Sequence, residues 1–403
     1  MIYLYVFCIL VLVLSGVYAW PCLEIPDYAY IFIYFITFIS GFIVSGRIKR
    51  ITNGTKFFVL VLLIGCVILA KGINGTIIKS ILFGLTILQI LTCNKHLVNN
   101  VLKLLNKIFF AIISVSTGLF ILQTLGLPMP SLGVIKYYQY ILDNHVFFVS
   151  NLDNPSIRFH GFCVEPGYFA LLLSCLICIN EYKINKYNIV YIIALLLTLS
   201  LGGLFITSFG WFLHYTLSKS LDTITIIRKS FLFVFIGIIA VFLLSHLGGG
   251  IGEAFTDNIL GRLAFDSEKG FVGNNRMNER FDLFWYSFLL SDQVLWGMGS
   301  VEYFSSIEGL DLDAASYRVF VMQYGVIYTV LFLVAVFVLC KSIGNKKYIL
   351  PVVSLYLMDF LQHGTPFQGV FLIVFILMSR YQNVSIGLKN ETKLSSANYI
   401  IKE

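Results

Sequence analysis

The chain has 403 residues, of which 58% are hydrophobic and only 12% are charged. Soluble domains carry about 25% charged residues, so this composition excludes an ordinary soluble protein and indicates one that resides in a membrane. The formal net charge of +7 does not indicate nucleic-acid binding, because the basic residues fall in short stretches between apolar runs, where they act as topology signals.

The apolar runs are long enough for helices that span a bilayer, which takes about 20 residues. We predict an all-α polytopic membrane protein with about twelve transmembrane helices, organised as a single integral membrane domain over residues 1–403. The first run ends like a signal peptide but lacks a basic start, so it is interpreted as the first span. The predicted spans are 2–20, 29–46, 57–70, 77–92, 108–127, 166–181, 188–201, 204–217, 231–247, 318–340, 348–361 and 366–380.

Only Gly202 and Gly203 separate the spans 188–201 and 204–217. Because glycine is a frequent turn residue, this pair predicts either a tight hairpin of two tilted helices or one long broken helix.

The basic residues predict the orientation of the spans. With the boundaries above, the clusters that begin at Arg47, Lys95, Lys183, Lys219, Lys341 and Arg380 all fall on one face. By the positive-inside rule this face is cytoplasmic. Both termini, including the polar tail 381–403, are therefore predicted to be cytoplasmic.

The opposite face carries two large loops, which are predicted to be periplasmic or extracellular. They cover residues 128–165 and 248–317 and far exceed the usual connection of about 4–6 residues. In the second loop, aromatic and apolar residues at helical spacing from Asn278 to Leu290 predict an amphipathic helix that lies on the membrane surface or caps a cavity. A flexible turn at Trp296–Gly299 is predicted to follow it.

The sequence shows no spacing typical of a metal site. The eight cysteines have no zinc-ligand pattern and no evident pairing. Asp311 and Asp313 have the spacing of an acidic metal motif, but they lie in a loop that is acidic throughout. We therefore expect neither a metal nor another cofactor.

Three ionisable residues, Arg158, His160 and Glu165, directly precede a long apolar run. Ionisable groups at the mouth of a membrane helix indicate a functional site. Pro166 suits the first helical position, and a carboxylate just before it is favoured by the helix dipole. Arg158 is predicted to meet an anionic ligand, with an ion pair to Glu165 or a headgroup contact as alternatives. Glu165 either acts chemically or caps the helix.

Further candidates lie elsewhere in the chain. Arg276 and Arg280 either contact an anionic substrate or balance nearby acids on a solvated loop. Asp359 and His363 are four residues apart, which places them on one helix face. They supply either a base near neutral pH or a mutually satisfied pair that locks two helices together. His160, which is close to Arg158 in the chain, either binds sugar or phosphate or is a mutually satisfied structural side chain.

Several motifs follow one another between about residues 155 and 340. They are Arg158-x-x-Gly161-x-x-x-Glu165-Pro166, the Thr198/Ser200-Gly202-Gly203 hairpin, Arg276 and Arg280 beside the aromatic helix, Gly297-x-Gly299, and Ser316-Tyr317-Arg318 followed by Gln323-Tyr-Gly325. In order, spacing and sidedness they resemble the O-antigen polymerase and O-antigen ligase superfamily of bacterial surface-polysaccharide assembly.

The sequence departs from this family at two places. Leu201 and Gly202 stand where the family hairpin usually has an arginine. Ligases usually carry a histidine just before the span that begins near Ser316, and here that stretch begins at Asp313 and contains none. The missing histidine favours a polymerase over a ligase and leaves the catalytic base unidentified.

The resemblance implies a metal-independent glycosyltransferase, a polysaccharide polymerase of the bacterial inner membrane. One undecaprenyl-diphosphate-linked oligosaccharide would be the donor, and a sugar hydroxyl of another would attack its anomeric carbon at the outer face. The catalytic candidates are Arg158, Glu165, Arg280 and His363. The substrate-binding candidates are Arg276, His160, Asp359, Tyr317 and Arg318.

The expected partners are lipid-linked oligosaccharides, the lipid bilayer and a separate regulator of chain length, with no nucleic acid. Two alternative functions stay open. The first is an O-antigen ligase, which transfers finished polymer to another acceptor. The second is a flippase for lipid-linked oligosaccharides. Transporters usually show repeats, broken helices and charges at the membrane midplane, whereas the charges here concentrate in the outer loops.

Overall fold

The computed structural model describes most of the chain, and it is predominantly helical there. The described residues are 1–15, 26–46, 52–70, 75–137, 140–145, 147–152, 158–218, 225, 228, 265–266, 270–271, 279–307, 317–343, 346–363 and 369–383. The predicted span 231–247, Arg276 and residues 384–403 of the tail lie outside this part.

Helices occupy every predicted span that falls in the described ranges. They are α1 Ile2–Ser15, α2 Asp27–Ser45, α3 Asn53–Ala70, α4 Gly75–Thr92, α5 Lys95–Thr124, α6 Pro166–Ile179, α7 Lys186–Leu197, α8 Leu201–Ser218, α9 Glu279–Leu289, α10 Gly299–Ile307, α11 Tyr317–Ile343, α12 Lys346–His363 and α13, residues 371–383. Of these, α2, α5 and α11 are long and apolar enough to cross a membrane. The described part of the chain is therefore largely helical, with helices that could span a membrane by their length and composition.

Helix α5 begins earlier than the predicted span 108–127. It has 30 residues and is about 45 Å long. Asn94 caps it by accepting a 2.8 Å hydrogen bond from the Leu97 N–H. Lys103 and Lys107 are exposed on it, while apolar residues at three- and four-residue spacing between Leu97 and Phe120 are buried. The helical period thus continues through lysines that interrupt the hydropathy pattern.

The turn between α7 and α8 differs from the prediction. It lies at residues 198–200, and the two glycines belong to the first turn of α8. Ser200 accepts a 3.3 Å hydrogen bond from the Gly203 N–H through its Oγ. A Cβ added at Gly203 would lie 2.3 Å from the Cβ of Ala170. Gly203 therefore permits α8 to approach α6 closely and does not form the turn.

The first large loop contains a β-sheet, which the all-α prediction did not include. Strands β1 Gly133–Tyr137, β2 Tyr140–Asn144 and β3 Val149–Asn151 form an antiparallel sheet in the order β1-β2-β3. Leu142 and Val149 are buried with Val164 on one of its faces. In the second loop, the short strands β4 Phe265–Asp266 and β5 Gly270–Phe271 pair antiparallel.

Helix α11 is broken at Gly325, where φ is 83° and ψ is 164°. The preceding segment supplies hydrogen-bond partners at the break. The Met298 N–H donates to the Met322 carbonyl at 2.9 Å, and the Ile327 N–H donates to the Leu295 carbonyl at 3.3 Å. The predicted flexible turn at Trp296–Gly299 is therefore fixed against the break in α11.

Hydrogen bonds between the ends of different helices distinguish the two ends of the bundle. Asn94 Nδ2 donates to the Ser45 carbonyl at 2.7 Å, which joins the end of α2 to the start of α5. Thr52 Oγ1 donates to Ser342 Oγ at 3.2 Å, which joins the segment before α3 to the end of α11. We call this the basic end, since the predicted clusters at Lys95 and Lys341 lie there.

Arg380 connects α13 to the end of α6 on the same side. Its Nη1 donates to the Ile179 carbonyl and its Nη2 to Glu181 Oε1, both at 3.0 Å. Lys183 Nζ lies 2.8 Å from Glu181 Oε2. These contacts agree with the predicted clustering of Lys183 and Arg380 on one face. We call the opposite end of the bundle, which carries the sheet and α9, the loop end.

We expect Gly325→Ala to lower the thermal stability of the protein in detergent. The new Cβ would lie 2.4 Å from the Leu295 carbonyl oxygen and 2.5 Å from the Gly297 nitrogen. Its backbone conformation is essentially restricted to glycine and costs other residues about 1–3 kcal/mol. Gly118→Ala in α5 is the matched control, because a Cβ there meets nothing within 4 Å. Equal melting temperatures for the two variants would contradict the importance of the break.

Candidate functional site

Residues 158–165 lead directly into α6 at the loop end. Pro166 occupies the first turn of α6, as predicted, and Glu165 precedes it with extended backbone, φ −119° and ψ 135°. Glu165 makes no side-chain capping hydrogen bond. The structure therefore does not support the alternative in which its carboxylate caps the helix, and the side chain is half-buried.

Two adjacent hydrogen bonds attach this segment to the end of α7. Arg158 Nε donates to the Thr198 carbonyl at 3.3 Å, and the Phe159 N–H donates to the Leu197 carbonyl at 2.9 Å. The last carbonyls of a helix lack partners within the helix, so α7 is a suitable acceptor for both. The Arg158 motif and the hairpin motif, which are 40 residues apart, are thus in direct contact.

Aromatic packing beneath the segment makes it rigid. The ring of Phe159 lies 4.7 Å from Phe120 and 5.1 Å from Phe169, and Phe162 lies 5.2 Å from Phe169, measured between ring centroids. Gly161 has a φ of +56°, and a Cβ there would lie 2.5 Å from the Phe169 ring. Glycine at this position therefore permits the close turn between Arg158 and Glu165.

His160 is buried within the same segment. Its Nδ1 lies 3.0 Å from the Val164 carbonyl oxygen, so Nδ1 carries the proton and donates. The pKa of His160 is lowered to about 4, mainly because the side chain is buried; the hydrogen bond to Val164 raises it and the nearby charge of Arg158 lowers it. His160 is therefore neutral at pH 7 and supplies no positive charge to a phosphate.

A second group of predicted residues lies where α9 meets α11. Arg318 Nη1 lies 2.6 Å from Asp282 Oδ1, and its guanidinium lies 5.5 Å from the centroid of the Trp285 ring. Asp282 therefore compensates much of the positive charge of Arg318. Tyr317 begins α11 and is exposed, and Arg280 is exposed in the first turn of α9.

Asp359 and His363 belong to the last turns of α12, and their side chains lie outside the described part. Between them in sequence, Phe360 packs 5.0 Å from Phe320 in the first turn of α11. α12 also packs against α8 and α6. At the basic end, the ring centroid of Tyr348 near the start of α12 lies 6.3 Å from that of His214 near the end of α8. The two helices therefore run antiparallel, and the C-terminal turn of α12 approaches the start of α8. The end of α12 therefore lies beside the first turn of α11, which carries Arg318.

Sequence analysis missed a polar network around His145 in the first loop. The His145 side chain is buried, with Nδ1 3.1 Å from the Pro130 carbonyl oxygen. Its Nε2 lies 3.1 Å from Ser150 Oγ and 3.2 Å from Gln123 Nε2. This network attaches the sheet to the end of α5. The enrichment of β-branched and aromatic residues between Val134 and Val149 is the signal that could have revealed the strands.

The sheet is also attached to the Arg158 segment. The Val149 N–H donates to the Gly161 carbonyl at 2.8 Å, and Phe148 lies 6.0 Å from Phe120, which itself contacts Phe159. The candidate site at the loop end therefore consists of the segment 158–165, supported by α5, α6, the sheet and the α7–α8 turn.

We expect the protein to lose stability as the pH falls from 7 to 5, in part through His160. The folded pKa of about 4 lies below the unfolded value of about 6.5. The stabilisation is therefore present above pH 6.5 and is lost as the pH falls through 6.5 towards 4. Linkage predicts a loss of about 2 kcal/mol at pH 5. Thermal unfolding of wild type and His160→Gln at both pH values measures this, and an equal pH dependence would contradict it.

Comparison of the chain with protein-family models, with curated proteins and with solved structures finds no match.

Proposed function

We propose that this protein is a membrane glycosyltransferase that joins lipid-diphosphate-linked oligosaccharides at the loop end of the bundle. The observation that carries the proposal is the placement of Arg158. It is held by the end of α7, remains partly exposed, and lies just before the N-terminus of α6. A guanidinium is suited to forked contact with phosphate oxygens, and a helix N-terminus favours negative charge.

The reaction that fits this arrangement is displacement of a diphosphate. The hydroxyl oxygen of an acceptor sugar forms a bond to the anomeric carbon of the donor. The bond from that carbon to the diphosphate oxygen breaks, and its electron pair leaves with undecaprenyl diphosphate. Arg158 stabilises the negative charge that develops on the leaving group. The hydroxyl proton passes to a base, for which Glu165 and His363 are the candidates.

The other predicted residues have different roles in this proposal. Arg280 is the second candidate for a phosphate contact, since it is exposed at the loop end. Arg318 is better suited to holding α9 on α11, because Asp282 already compensates its charge. His160 supports the segment as a buried neutral side chain.

The proposal includes the location and the partners. Both lipid-linked substrates would lie in the outer leaflet of the bacterial inner membrane, with both termini of the protein in the cytoplasm. A separate chain-length regulator would act with it. A polymerase is favoured over a ligase because the stretch from Asp313 to Ser316 lacks the histidine that ligases carry.

One observation favours a second candidate, a transporter for lipid-linked oligosaccharides. Broken helices are typical of transporters, and α11 is broken at Gly325. The break lies near the N-terminal end of α11, however, whereas transporter sites lie near the membrane midplane. The break also brings together two segments, Gln323–Gly325 and Gly297–Gly299, that belong to the polymerase-like motifs.

The decisive experiment uses the purified protein in nanodiscs with undecaprenyl-diphosphate-linked repeat units, without nucleotide or added metal. Wild type is expected to produce a ladder of polymer on a gel. Arg158→Ala is expected to reduce the rate about 100-fold or more, as when one transition-state donor is removed. Arg158→Lys should restore part of the activity, because it keeps the charge but not the forked geometry.

Lys103→Ala is the matched control, since Lys103 is exposed on α5 away from the loop end, and it should polymerise like wild type. A ladder of normal intensity from Arg158→Ala would refute the role of this arginine. Intact repeat units after incubation with folded wild type would refute the polymerase. A parallel assay of substrate movement across vesicles would then test the transporter.

A further inference from the structure

Helix α9 carries apolar residues on two sides. On one side, Phe281 and Phe288 are buried against α10 and the start of α11. On the other, Leu283, Tyr286 and Leu290 follow one another at the spacing of a single helix face, and they are 64%, 60% and 90% exposed. Packing within the protein accounts for the apolar residues on the buried side only. Exposure of the apolar residues on the other side to water is unfavourable.

Exposed apolar residues also lie on the elements that follow α9 in the chain. Trp296 follows α9 and is 66% exposed, and Val301 and Phe304 are exposed three residues apart on α10. We call Leu283, Tyr286, Leu290, Trp296, Val301 and Phe304 the outer apolar face. Large exposed apolar side chains grouped on adjacent elements are rare on soluble proteins and typically mark contact with a membrane or another protein.

The outer apolar face continues a lipid-facing stripe on α11. Ile327, Val330, Val334 and Phe337 are exposed at the spacing of one helix face, on a helix apolar enough to cross a membrane. The Ile327 N–H donates to the carbonyl of Leu295, the residue next to Trp296. The end of the stripe nearest Gly325 therefore adjoins the outer apolar face.

We propose that the outer apolar face is embedded in the adjacent leaflet of the bilayer, with lipid acyl chains as its occupant. Arg280 is exposed on α9 three residues before Leu283, where a guanidinium reaches the headgroup phosphates while apolar neighbours enter the chains. Tryptophan and tyrosine favour this interfacial depth. Helix α9 then lies along the membrane surface. The proposal depends on the membrane-spanning fold and not on the glycosyltransferase activity.

Tryptophan fluorescence tests this proposal. Of the four tryptophans, Trp296 is kept and Trp20, Trp211 and Trp285 are changed to Phe. In nanodiscs whose phospholipids are brominated near the top of the acyl chains, emission should fall roughly twofold, as expected for an interfacial indole. Aqueous acrylamide should quench it weakly. A variant that keeps only Trp285, which packs on the opposite side of α9 beside Arg318, should lose less emission to the brominated lipids.

An independent reporter on α10 guards against a local effect of the substitutions. Phe304→Trp, in a protein with all four native tryptophans changed to Phe, should respond to brominated lipid in the same way. Strong acrylamide quenching of both reporters without lipid quenching would place the face in water and overturn the proposal. Protection from both quenchers, with elution as a dimer, would overturn it in favour of a second copy of the chain.

Discussion

The structure at the loop end depends on one constraint: backbone N–H and C=O groups near a membrane need partners within the protein, because lipid supplies none. The irregular segments there obtain them from helix ends and from a helix break. The Phe159 N–H uses the last carbonyls of α7, and the Met298 N–H uses a carbonyl of α11. These two segments are thereby fixed to helices, which holds the candidate site rigidly beside an apolar bundle.

Arg158 and Arg318, which both lie at this end, have different surroundings. Arg158 donates through Nε to the neutral Thr198 carbonyl, a bond that positions the guanidinium at the end of α7. Arg318 pairs with a carboxylate and lies over an indole ring, so its charge is largely used within the protein. Position in a motif alone does not distinguish these two roles.

Those features of the fold that depend on neighbouring residues in the chain could be predicted from the sequence. The apolar runs located the helices, and Pro166 marked the first turn of α6 because its missing N–H and fixed φ suit that position. The start of α5 was missed because Lys103 and Lys107 interrupt the hydropathy of a helix whose buried face continues. The strands β1 to β3 were missed because they are short, and their stability comes from contacts with distant residues such as Gly161.

The order of the candidate residues in the chain could be predicted from the sequence, but their contacts could not. That Arg158 and Glu165 precede a membrane helix follows from their order in the chain. That Arg158 lies against Thr198 depends on tertiary packing, and so does the use of Gly203 against Ala170. The charge compensation of Arg318 by Asp282 also links residues 36 apart, a distance over which no local pattern operates.

The break at Gly325 also sets how much of α11 the bilayer must accommodate. The segment that follows it, residues 326–343, rises about 27 Å, close to the hydrocarbon thickness of about 30 Å. The preceding turns belong to the cluster formed by α9 and α10. A thicker or thinner bilayer would therefore strain the junction at Gly325 through hydrophobic mismatch. Membrane thickness would thus act directly on the position of the loop-end helices relative to the site.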